Sequence, residues 1–447
     1  MATQERQHDD LRTVFTPAAA ERVGVEVECG VVDPGTGRAA PYRGPNGVLA
    51  VLRAVLAEWG GEALYDAGEL AGVRLADGGL LGFEHGGQIE YSAAPAADVV
   101  TAVTTVRDVL ERLSELARRF GLALLPGAHL PFNRIETVDW VPLARGRLLR
   151  AHFADLGPAG SGGAEILALS TCTQVHLDYL SEEDFTAKLR MQAAASPVVT
   201  ALFVNSPLHD GRLDGLLSRR SWNWTRTDPA RCGLVTPALS GAAGFDDLTE
   251  WVLDKPMVFY RDGTDQLRRA PERPFASLLR DGFDDGSLPD LGHWDAHLSQ
   301  IWTHVRVRRT LELRAADGPA YPHLAAVPAL WAGLSYDPVA RSDAWRLTGH
   351  YTAGQQRAAM AKIPRTGLDT RLGPDRVRDL AAELVRLARR GLAARVTAGR
   401  ESPRVLEYLD PLDEVLATDR TFAQQCAHRW RTDLRGDPRR YVAAYRV

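Results

Sequence analysis

Charged side chains, mostly carboxylates, recur at every second position in two short segments of this chain, and their spacing predicts strands with one charged face. Glu26 and Glu28 lie in VGVEVECGVV, and Glu312 precedes Arg314 by two residues in RTLELRAADG. Side chains of a strand alternate between its faces, so each pair projects from one face and its apolar neighbours from the other. Carboxylate oxygens suit Mg²⁺, which in proteins often also carries substrate phosphates. The spacing therefore predicts a metal–nucleotide site on one face of a sheet.

Two further segments have the same character. GFEHGGQIEYS contains Glu84 and Glu90 around a Gly-Gly turn, and TCTQVHLDYL places Gln174 and His176 on one face of a predicted strand. The alternative for any one segment is an ordinary solvated strand, whose polar and apolar residues also alternate. Four such segments in one chain favour a metal–nucleotide site over four unrelated solvated strands. For His176, metal ligation and a structural hydrogen bond are equal alternatives.

The composition is that of a globular protein without a strong overall charge. The chain has 447 residues and a formal net charge of −4, so it has no broad basic field for nucleic acid. It has no run of eighteen apolar residues that would predict a membrane span, and its polar start has no signal-peptide pattern. The cysteines Cys29, Cys172, Cys232 and Cys426 lack C-x-x-C spacing. We therefore expect a cytoplasmic monomer or homodimer whose partners are small molecules, with no nucleic acid and no membrane.

The elements that position these residues are predicted to be antiparallel strands backed by helices. DVVTAVTTVRDVLERLSELARRFG has the period of an amphipathic helix, with Asp98 as N-cap and Gly121 beyond its end, and would cover the apolar face of the sheet. Residues 206–300 lack long periodic runs and predict an irregular, functional segment. The part from Asp317 onward is predicted to be mostly helical. The fold class is α+β, without a G-x-G-x-x-G or Walker A motif.

Seven motifs, in order, resemble those of the plant-type glutamate–cysteine ligase family, including its bacterial members. The resemblance runs from about Val23 to about Arg420. It rests on GVEVECG, EHGGQIEYS, STCTQVHLDY, FVNSPLHDGRLDGLLSRRSWNW, TDPARCG, HWDAHLSQIWTHVRVRRTLELRAADG and KIPRTGL. It implies the curved antiparallel sheet that this family shares with glutamine synthetase and the guanidino kinases, with helices on its back face. We expect an N-terminal tail at 1–20, a catalytic domain at 21–420 and a C-terminal extension at 421–447.

The resemblance also implies a reaction. Members of the family phosphorylate the γ-carboxylate of L-glutamate with ATP and couple it to the amine of L-cysteine. They use two or three Mg²⁺ ions, for which Mn²⁺ could substitute. The motifs do not fix the acceptor, so a γ-glutamyl ligase that uses another amino acid or amine is the first alternative. A phosphotransferase of the guanidino kinase type is a remoter one, and a binding protein without activity is disfavoured because the acidic set is intact.

Roles for individual residues follow from the same resemblance. The implied metal ligands are Glu26, Glu28, Glu84, Glu90, His176 and Glu312. The implied catalytic residues are Glu28, Glu312 and Arg314, and the implied nucleotide contacts are Gly86, Gly87 and Arg314. The expected substrate contacts are Arg220, Thr171, Thr173, Gln174, Trp222 and Trp224. Arg220 would bind a carboxylate through its planar fork, which Lys lacks. One departure is His85, which stands where the family has Pro.

Overall fold

The centre of the molecule is an antiparallel sheet whose strands come from residues 23 to 313 of the chain. The computed structural model describes residues 10–66, 68–241 and 243–447. The strands, in chain order, are β1 (Val23–Val32), β2 (Glu62–Asp66), β3 (Glu69–Arg74), β4 (Leu80–Phe83), β5 (Ile89–Ser92), β6 (Ala123–Pro126), β7 (Thr173–Leu177), β8 (Leu208–His209), β9 (Arg212–Leu213), β10 (Cys232–Gly233), β11 (Phe259–Arg261), β12 (Leu267–Arg269), β13 (Trp302–Thr303), β14 (Val305–Val307), β15 (Leu311–Leu313), β16 (Arg371–Leu372) and β17 (Asp375–Arg376). Within the described ranges, nine strands form one sheet in the order β14–β15–β7–β1–β5–β4–β3–β2, and β6 also pairs with β1.

Helices alternate with the strands along the chain and continue after the last strand of the sheet. In chain order they are α1 (Val48–Trp59), α2 (Val99–Arg119), α3 (Ala144–Asp155), α4 (Gly163–Leu169), α5 (Glu182–Leu202), α6 (Arg219–Trp224), α7 (Thr236–Ser240), α8 (Phe245–Leu253), α9 (Phe275–Asp281), α10 (Leu291–Ser299), α11 (Ala326–Tyr336), α12 (Pro338–Thr348), α13 (Ala353–Thr366), α14 (Val377–Thr397), α15 (Asp410–Thr418), α16 (Phe422–Arg431) and α17 (Pro438–Tyr445). The helical C-terminal part is therefore confirmed.

The apolar face of β1 is covered by helices, as the sequence predicts. Val25 and Val27 are 1% exposed, and α2 and α11 pack on this strand. Helix α2 begins after Asp98, whose Oδ1 accepts a hydrogen bond from the Thr101 amide at 2.8 Å. It ends before Gly121, whose φ of +71° is a conformation that glycine adopts without strain. The predicted α+β class, with an antiparallel sheet and helices behind it, is confirmed.

Residues 206–300 are more regular than the sequence predicts. They contain helices α6 to α10 and the hairpins β8–β9 and β11–β12. Each of these helices has five to nine residues. Helices of this length complete at most two and a half turns, too few for an apolar period to emerge from the sequence. The segment lies over the polar face of the sheet and supplies much of the wall of the site.

Both ends of the described chain pack against the rest of the molecule. Residues 1–9 of the predicted tail lie outside the described residues, but Leu11 and Phe15 are buried in the main core. Near the other end, Trp430 of α16 packs with Phe132, and the amide of Val447 donates to the β6 carbonyl of Leu124 at 3.1 Å. The boundaries at 20 and 420 stay predictions. Among the described helices, none is both long and apolar enough to cross a membrane.

Candidate active site

The register of the sheet brings the predicted acidic residues together. Glu28 on β1 is paired with Glu90 on β5, and His176 on β7 is paired with Glu312 on β15. Residues directly opposite each other project from the same face of an antiparallel pair. Glu26 shares this face because it precedes Glu28 by two residues. All five therefore lie on the side of the sheet that faces away from α2.

A chamber of about 270 Å³ lies over this polar face. We call it the central chamber. Its charged lining consists of Glu26, Glu28, Glu84, Glu90, Arg145, Arg220, Arg306, Arg308 and Arg314. Gln174 and Trp224 also line it, together with His85 and Trp302. His176 and Glu312 lie beside it and contact Glu26 and Arg314 respectively. The sequence thus predicts most of the acidic half of the chamber but only part of its basic half.

The carboxylates of Glu28 and Glu90 repel one another and their acidic neighbours. Burial, and then the charge of Glu84, raise the pKa of Glu28 to about 7, although Gln174 Nε2 donates to Glu28 Oε1 at 2.6 Å. Burial, followed by the charges of Glu26, Glu84 and Glu28, raises the pKa of Glu90 well above its ordinary value. A divalent cation among these oxygens would remove the repulsion. The residues therefore fit Mg²⁺.

His176 forms an ion pair with Glu26. Its Nε2 lies 3.0 Å from Glu26 Oε1, and ligand atoms of these two residues and of Glu312 all lie within 4.8 Å of one another. Burial alone would raise the pKa of Glu26, but His176 outweighs it and the net pKa is lowered. Burial would likewise lower the pKa of His176, but Glu26 raises it overall. Metal ligation by His176 stays a prediction. It requires that the imidazole lose the proton on the nitrogen that faces Glu26.

Glu312 is held between two arginines. Arg306 Nε lies 2.5 Å from Glu312 Oε2, and Arg314 forms an ion pair with Oε1. Burial opposes ionisation of Glu312, but Arg306 and Arg314 outweigh it and hold the pKa well below its usual range. Both guanidinium groups line the central chamber. In this structure Glu312 thus positions two cations at the site. Arg306 was not predicted, although its period-two spacing to Arg308 in VRVRR is the same signal that identified Glu26 and Glu28.

Helix α6 presents two of the predicted substrate contacts to the chamber. Arg220 and Trp224, one helical turn apart, both line it. Arg220 is 2% exposed, and its Nη2 donates to the backbone carbonyl of Arg314 at 3.0 Å. Trp222 lies on another side of the helix, where the Arg365 guanidinium sits 4.8 Å from its ring centre. The structure therefore brings Arg220 and Trp224 to the site but not Trp222.

A carboxylate behind α6 fixes the orientation of the helix. Glu165 on α4 accepts hydrogen bonds from Arg219 Nε at 3.0 Å and Nη2 at 2.9 Å. It also accepts one from Asn223 Nδ2 at 2.8 Å. Arg219 and Asn223 are one turn apart and lie on a different side of α6 from Arg220 and Trp224. Glu165 does not line the central chamber, so its contribution is to position α6.

Four predicted contacts lie away from the chamber lining. Thr173 has the opposite strand parity to Gln174, and Thr171 lines a separate small cavity. Gly86 packs on α4 so closely that a Cβ would lie 2.0 Å from the carbonyl oxygen of Ala168. Gly87 completes the same turn with a φ of +84°. The turn glycines thus have a packing reason for their identity, and the ligand contacts assigned to these four residues stay predictions.

Two larger cavities adjoin the central chamber, and each shares a different set of lining residues with it. The edge cavity, about 940 Å³, lies between β2–β5 and the β11–β12 hairpin and shares Glu84, Glu90 and Arg145 with the chamber. The inner cavity, about 390 Å³, shares Arg220, Trp224, Trp302 and Arg314 with it. Arg145 was not predicted. It reaches the site from α3 and lies 3.6 Å from Glu84.

The four thiols are free. That of Cys172 donates to Glu28 Oε1 at 3.4 Å. Burial raises the pKa of Cys29, Cys172 and Cys232 far above the ordinary range, and raises that of Cys426 to about 11. The thiols are therefore protonated at neutral pH, and Cys172 acts here as a weak donor in the wall of the chamber.

Comparison with known proteins agrees with this geometry. The sequence profile of the glutamate–cysteine ligase family 2 matches residues 22–444. The chloroplastic glutamate–cysteine ligase of Brassica juncea is 30% identical over 432 residues, which cover 95% of this chain and 81% of that enzyme. The chloroplastic enzyme of Arabidopsis thaliana is 30% identical over 408 residues, which cover 90% of this chain and 75% of that one.

Solved structures support the fold. A crystal structure of glutamate–cysteine ligase from Francisella tularensis in complex with AMP matches with a TM-score of 0.54 and 11% identity, covering 96% of this chain and 88% of that one. This likeness concerns the fold alone. The names of the plant relatives correct one expectation: they are chloroplastic enzymes, which contradicts the cytoplasmic location expected from the sequence.

Proposed function

This chain belongs to the glutamate–cysteine ligase family 2 and is an ATP-dependent ligase, and we propose that it joins the γ-carboxylate of L-glutamate to the amine of L-cysteine. The observation that carries the proposal is the central chamber. It gathers four glutamates and five arginines on one face of the sheet, between two cavities. Such a constellation suits phosphoryl transfer, in which the protein contributes positioning and electrostatic stabilisation.

The acidic residues would hold the metal. Glu28, Glu84 and Glu90 are the preferred ligands, because they surround the region where the pKa values of Glu28 and Glu90 are raised by burial and mutual repulsion. Bound Mg²⁺ would neutralise the triphosphate and the carboxylate that attacks it. Glu26, with its ion pair to His176, borders the same region. Both the Mg²⁺ dependence and this ligand set are part of the proposal.

The arginines would stabilise the charge that moves during the reaction. Arg314 and Arg306 are held at the chamber by Glu312, so their guanidinium groups are ordered before substrate arrives. An oxygen of the glutamate γ-carboxylate attacks the terminal phosphorus of ATP, ADP leaves, and an acyl phosphate forms. The acceptor amine then attacks the acyl carbon, phosphate leaves and the amine loses a proton. Cations that are fixed in place before the reaction would stabilise both transition states.

The two flanking cavities suggest where the substrates lie. The edge cavity opens onto Glu84 and Glu90 and has Tyr260 in its wall, so we place the nucleotide there with its phosphates toward the chamber. The inner cavity lies beyond Arg220 and Arg314, so we place the amino acids there. In this arrangement the γ-carboxylate of glutamate lies between ATP on one side and the acceptor amine on the other.

The test measures ADP release together with the mass of the product. With glutamate, ATP and Mg²⁺ present, ADP release should require an acceptor amine, and a γ-glutamyl dipeptide should appear in equal amount. Cysteine and other small amino acids should be compared as acceptors. ADP release with a phosphorylated product that never gains the amine would instead establish a phosphotransferase.

A further inference from the structure

The inner cavity is lined by more cationic side chains than the two that it shares with the central chamber. Its basic lining consists of Arg220, Lys255, Arg314 and Arg357. Its acidic lining consists of Asp228 alone. That carboxylate is already satisfied, because its Oδ2 lies 2.5 Å from Arg231 Nη1 and 2.8 Å from His152 Nε2. The cavity therefore suits a ligand that brings its own negative charge.

Two of these four cations already have partners at the reaction centre. Arg314 is paired with Glu312, and Arg220 donates to backbone carbonyls and lies 3.6 Å from Asp317. Both also line the central chamber, which places them beside the γ-carboxylate of glutamate in the proposed reaction. Lys255 and Arg357 line only the inner cavity. They are the cations left for a second substrate.

Lys255 is enclosed but weakly paired. It follows α8 and its side chain is 18% exposed. Its nearest carboxylate is that of Asp254, at 4.0 Å and 79% exposed, and its Nζ forms no hydrogen bond to any described residue. The ring of Trp251 lies 4.8 Å from Nζ. Arg357 on α13 is exposed at the same cavity and has no ion pair within the described part of the chain.

Apolar side chains form much of the remaining wall of the cavity, alongside hydroxyl groups and His304. Trp224, Trp251, Trp302 and Met360 contribute large surfaces. A volume of about 390 Å³ lies within the range of small-molecule sites, which is about 300–1,000 Å³. An α-amino acid matches this chemistry: its carboxylate pairs with an ammonium group, its thiol or apolar side chain contacts the aromatic rings, and its amine stays free to react.

We propose that Lys255 binds the α-carboxylate of the acceptor amino acid, with Arg357 as a second cation in the lining of the same cavity. The proposal rests on the proposed ligase function and names the subsite of its second substrate. It makes Lys255 a specificity residue: the enzyme selects acceptors that carry a carboxylate next to the amine. Simple amines lack the group that Lys255 binds.

The test compares L-cysteine with cysteamine, which is cysteine without the carboxylate. The variant is Lys255→Met, which keeps the stem of the side chain and removes the charge. We expect kcat/KM for cysteine to fall about 10- to 100-fold, the effect of losing one charge-assisted pair, while kcat/KM for cysteamine stays within about twofold. KM for glutamate and for ATP should not change. Lys362→Met, which removes an exposed lysine of α13, is the control.

Two results would overturn the proposal. An equal loss of kcat/KM with both acceptors would make Lys255 a structural residue. A rise in KM for glutamate would place Lys255 in the glutamate subsite. If the wild-type protein forms no γ-glutamyl product with any acceptor, the proposed function itself fails, and this is seen before any variant is measured.

A second measurement needs no variant and no turnover. The chain has three lysines, Lys188, Lys255 and Lys362, and Lys188 is buried against Asp184. A brief pulse of an amine-acylating reagent should therefore label Lys255 and Lys362. With glutamate and a non-hydrolysable ATP analogue present, L-α-aminobutyrate should protect Lys255 and leave Lys362 unchanged, whereas propylamine should protect neither. Protection of Lys255 by glutamate alone would contradict the proposal.

Discussion

Glu90 and Glu312 belong to the same site, yet their surroundings act on them in opposite directions. Burial and acidic neighbours raise the pKa of Glu90 well above its ordinary value of 4.5. A carboxyl group of this kind destabilises the folded protein as pH rises above 4.5, because the unfolded chain loses its proton first. Glu312 is instead stabilised by Arg306 and Arg314. Removing one carboxylate from the site should therefore have an effect that depends on which carboxylate is removed.

We predict that Glu90→Gln raises the free energy of unfolding of the metal-free protein by about 1–3 kcal/mol at pH 7.5. Glu312→Gln should lower it by about 3 kcal/mol, because two largely enclosed guanidinium groups lose the negative charge that pairs with them. Both variants should lose ADP release. Urea unfolding in EDTA measures the stability, and Glu62→Gln, at the exposed edge of the sheet, is the control. Destabilisation by Glu90→Gln, or full activity of either variant, would contradict the assignment.

Among the elements, α6 is the one whose orientation decides the shape of the chamber. Glu165 holds it through Arg219 and Asn223, and these bonds lower the pKa of Glu165 to about 2 despite burial. This contribution is complete above pH 4.5 and is lost as pH falls toward 2. We predict that Glu165→Gln lowers the free energy of unfolding by about 2 kcal/mol at pH 7. It should also raise KM for glutamate several-fold, because Arg220 loses its fixed position.

The comparison for this prediction is Asp214→Asn. Asp214 also pairs with Arg219, at 2.9 Å, but it is 31% exposed and makes no contact with Asn223. It should therefore have the smaller effect on both quantities. If Asp214→Asn changes KM for glutamate as much as Glu165→Gln does, the hydrogen bonds between Glu165 and α6 are not what positions Arg220.

The elements also show what the sequence can and cannot predict. The period-two spacing of Glu26 and Glu28 predicts that both lie on one face of a strand. The apolar pattern of α2 repeats over five turns, which is enough to identify that helix. Helix α6 has six residues, less than two turns, so its segment resembles a loop and Trp222 was grouped with Trp224. Arg145 was missed for a different reason. It meets Glu84 because the start of α3 is tied to β2, where the Ala144 amide donates to Asp66 Oδ2 at 2.9 Å, and no local pattern predicts a contact between distant segments.

For the whole molecule, buried neutral histidines should dominate the response to acid. Burial lowers the pKa of His85, His129 and His297 to about 3 and that of His304 to about 4. Below pH 6.5 the unfolded chain binds protons at these positions and the folded chain does not. The contribution of these histidines to the free energy of unfolding is therefore fully present above about pH 6.5 and is lost as pH decreases toward 3.

His297 offers a test away from the active site. It stacks on Phe275 with ring centres 4.6 Å apart, and its Nε2 lies 3.1 Å from the carbonyl oxygen of Val252. We predict that His297→Gln reduces the slope of unfolding free energy against pH by about 1.4 kcal/mol per pH unit between pH 6 and 4. Urea unfolding across that range measures it, with the exposed His350→Gln as control. An unchanged slope would show that His297 is protonated in the folded state.

The raised pKa values of the four thiols have a consequence for the proposed use of cysteine as the acceptor. Only a thiolate attacks a disulfide or an alkylating reagent at an appreciable rate. Cys232 lines the cavity proposed for the acceptor, but burial keeps it protonated. We predict that cystine and iodoacetamide leave the native enzyme active and that Ellman's reagent detects its thiols only after unfolding. A mixed disulfide at Cys232 would contradict this. With cysteine as acceptor, the enzyme would then bind a redox-active substrate while its own sulfur atoms stay outside thiol–disulfide exchange, so oxidising conditions would slow it only by lowering the supply of reduced cysteine.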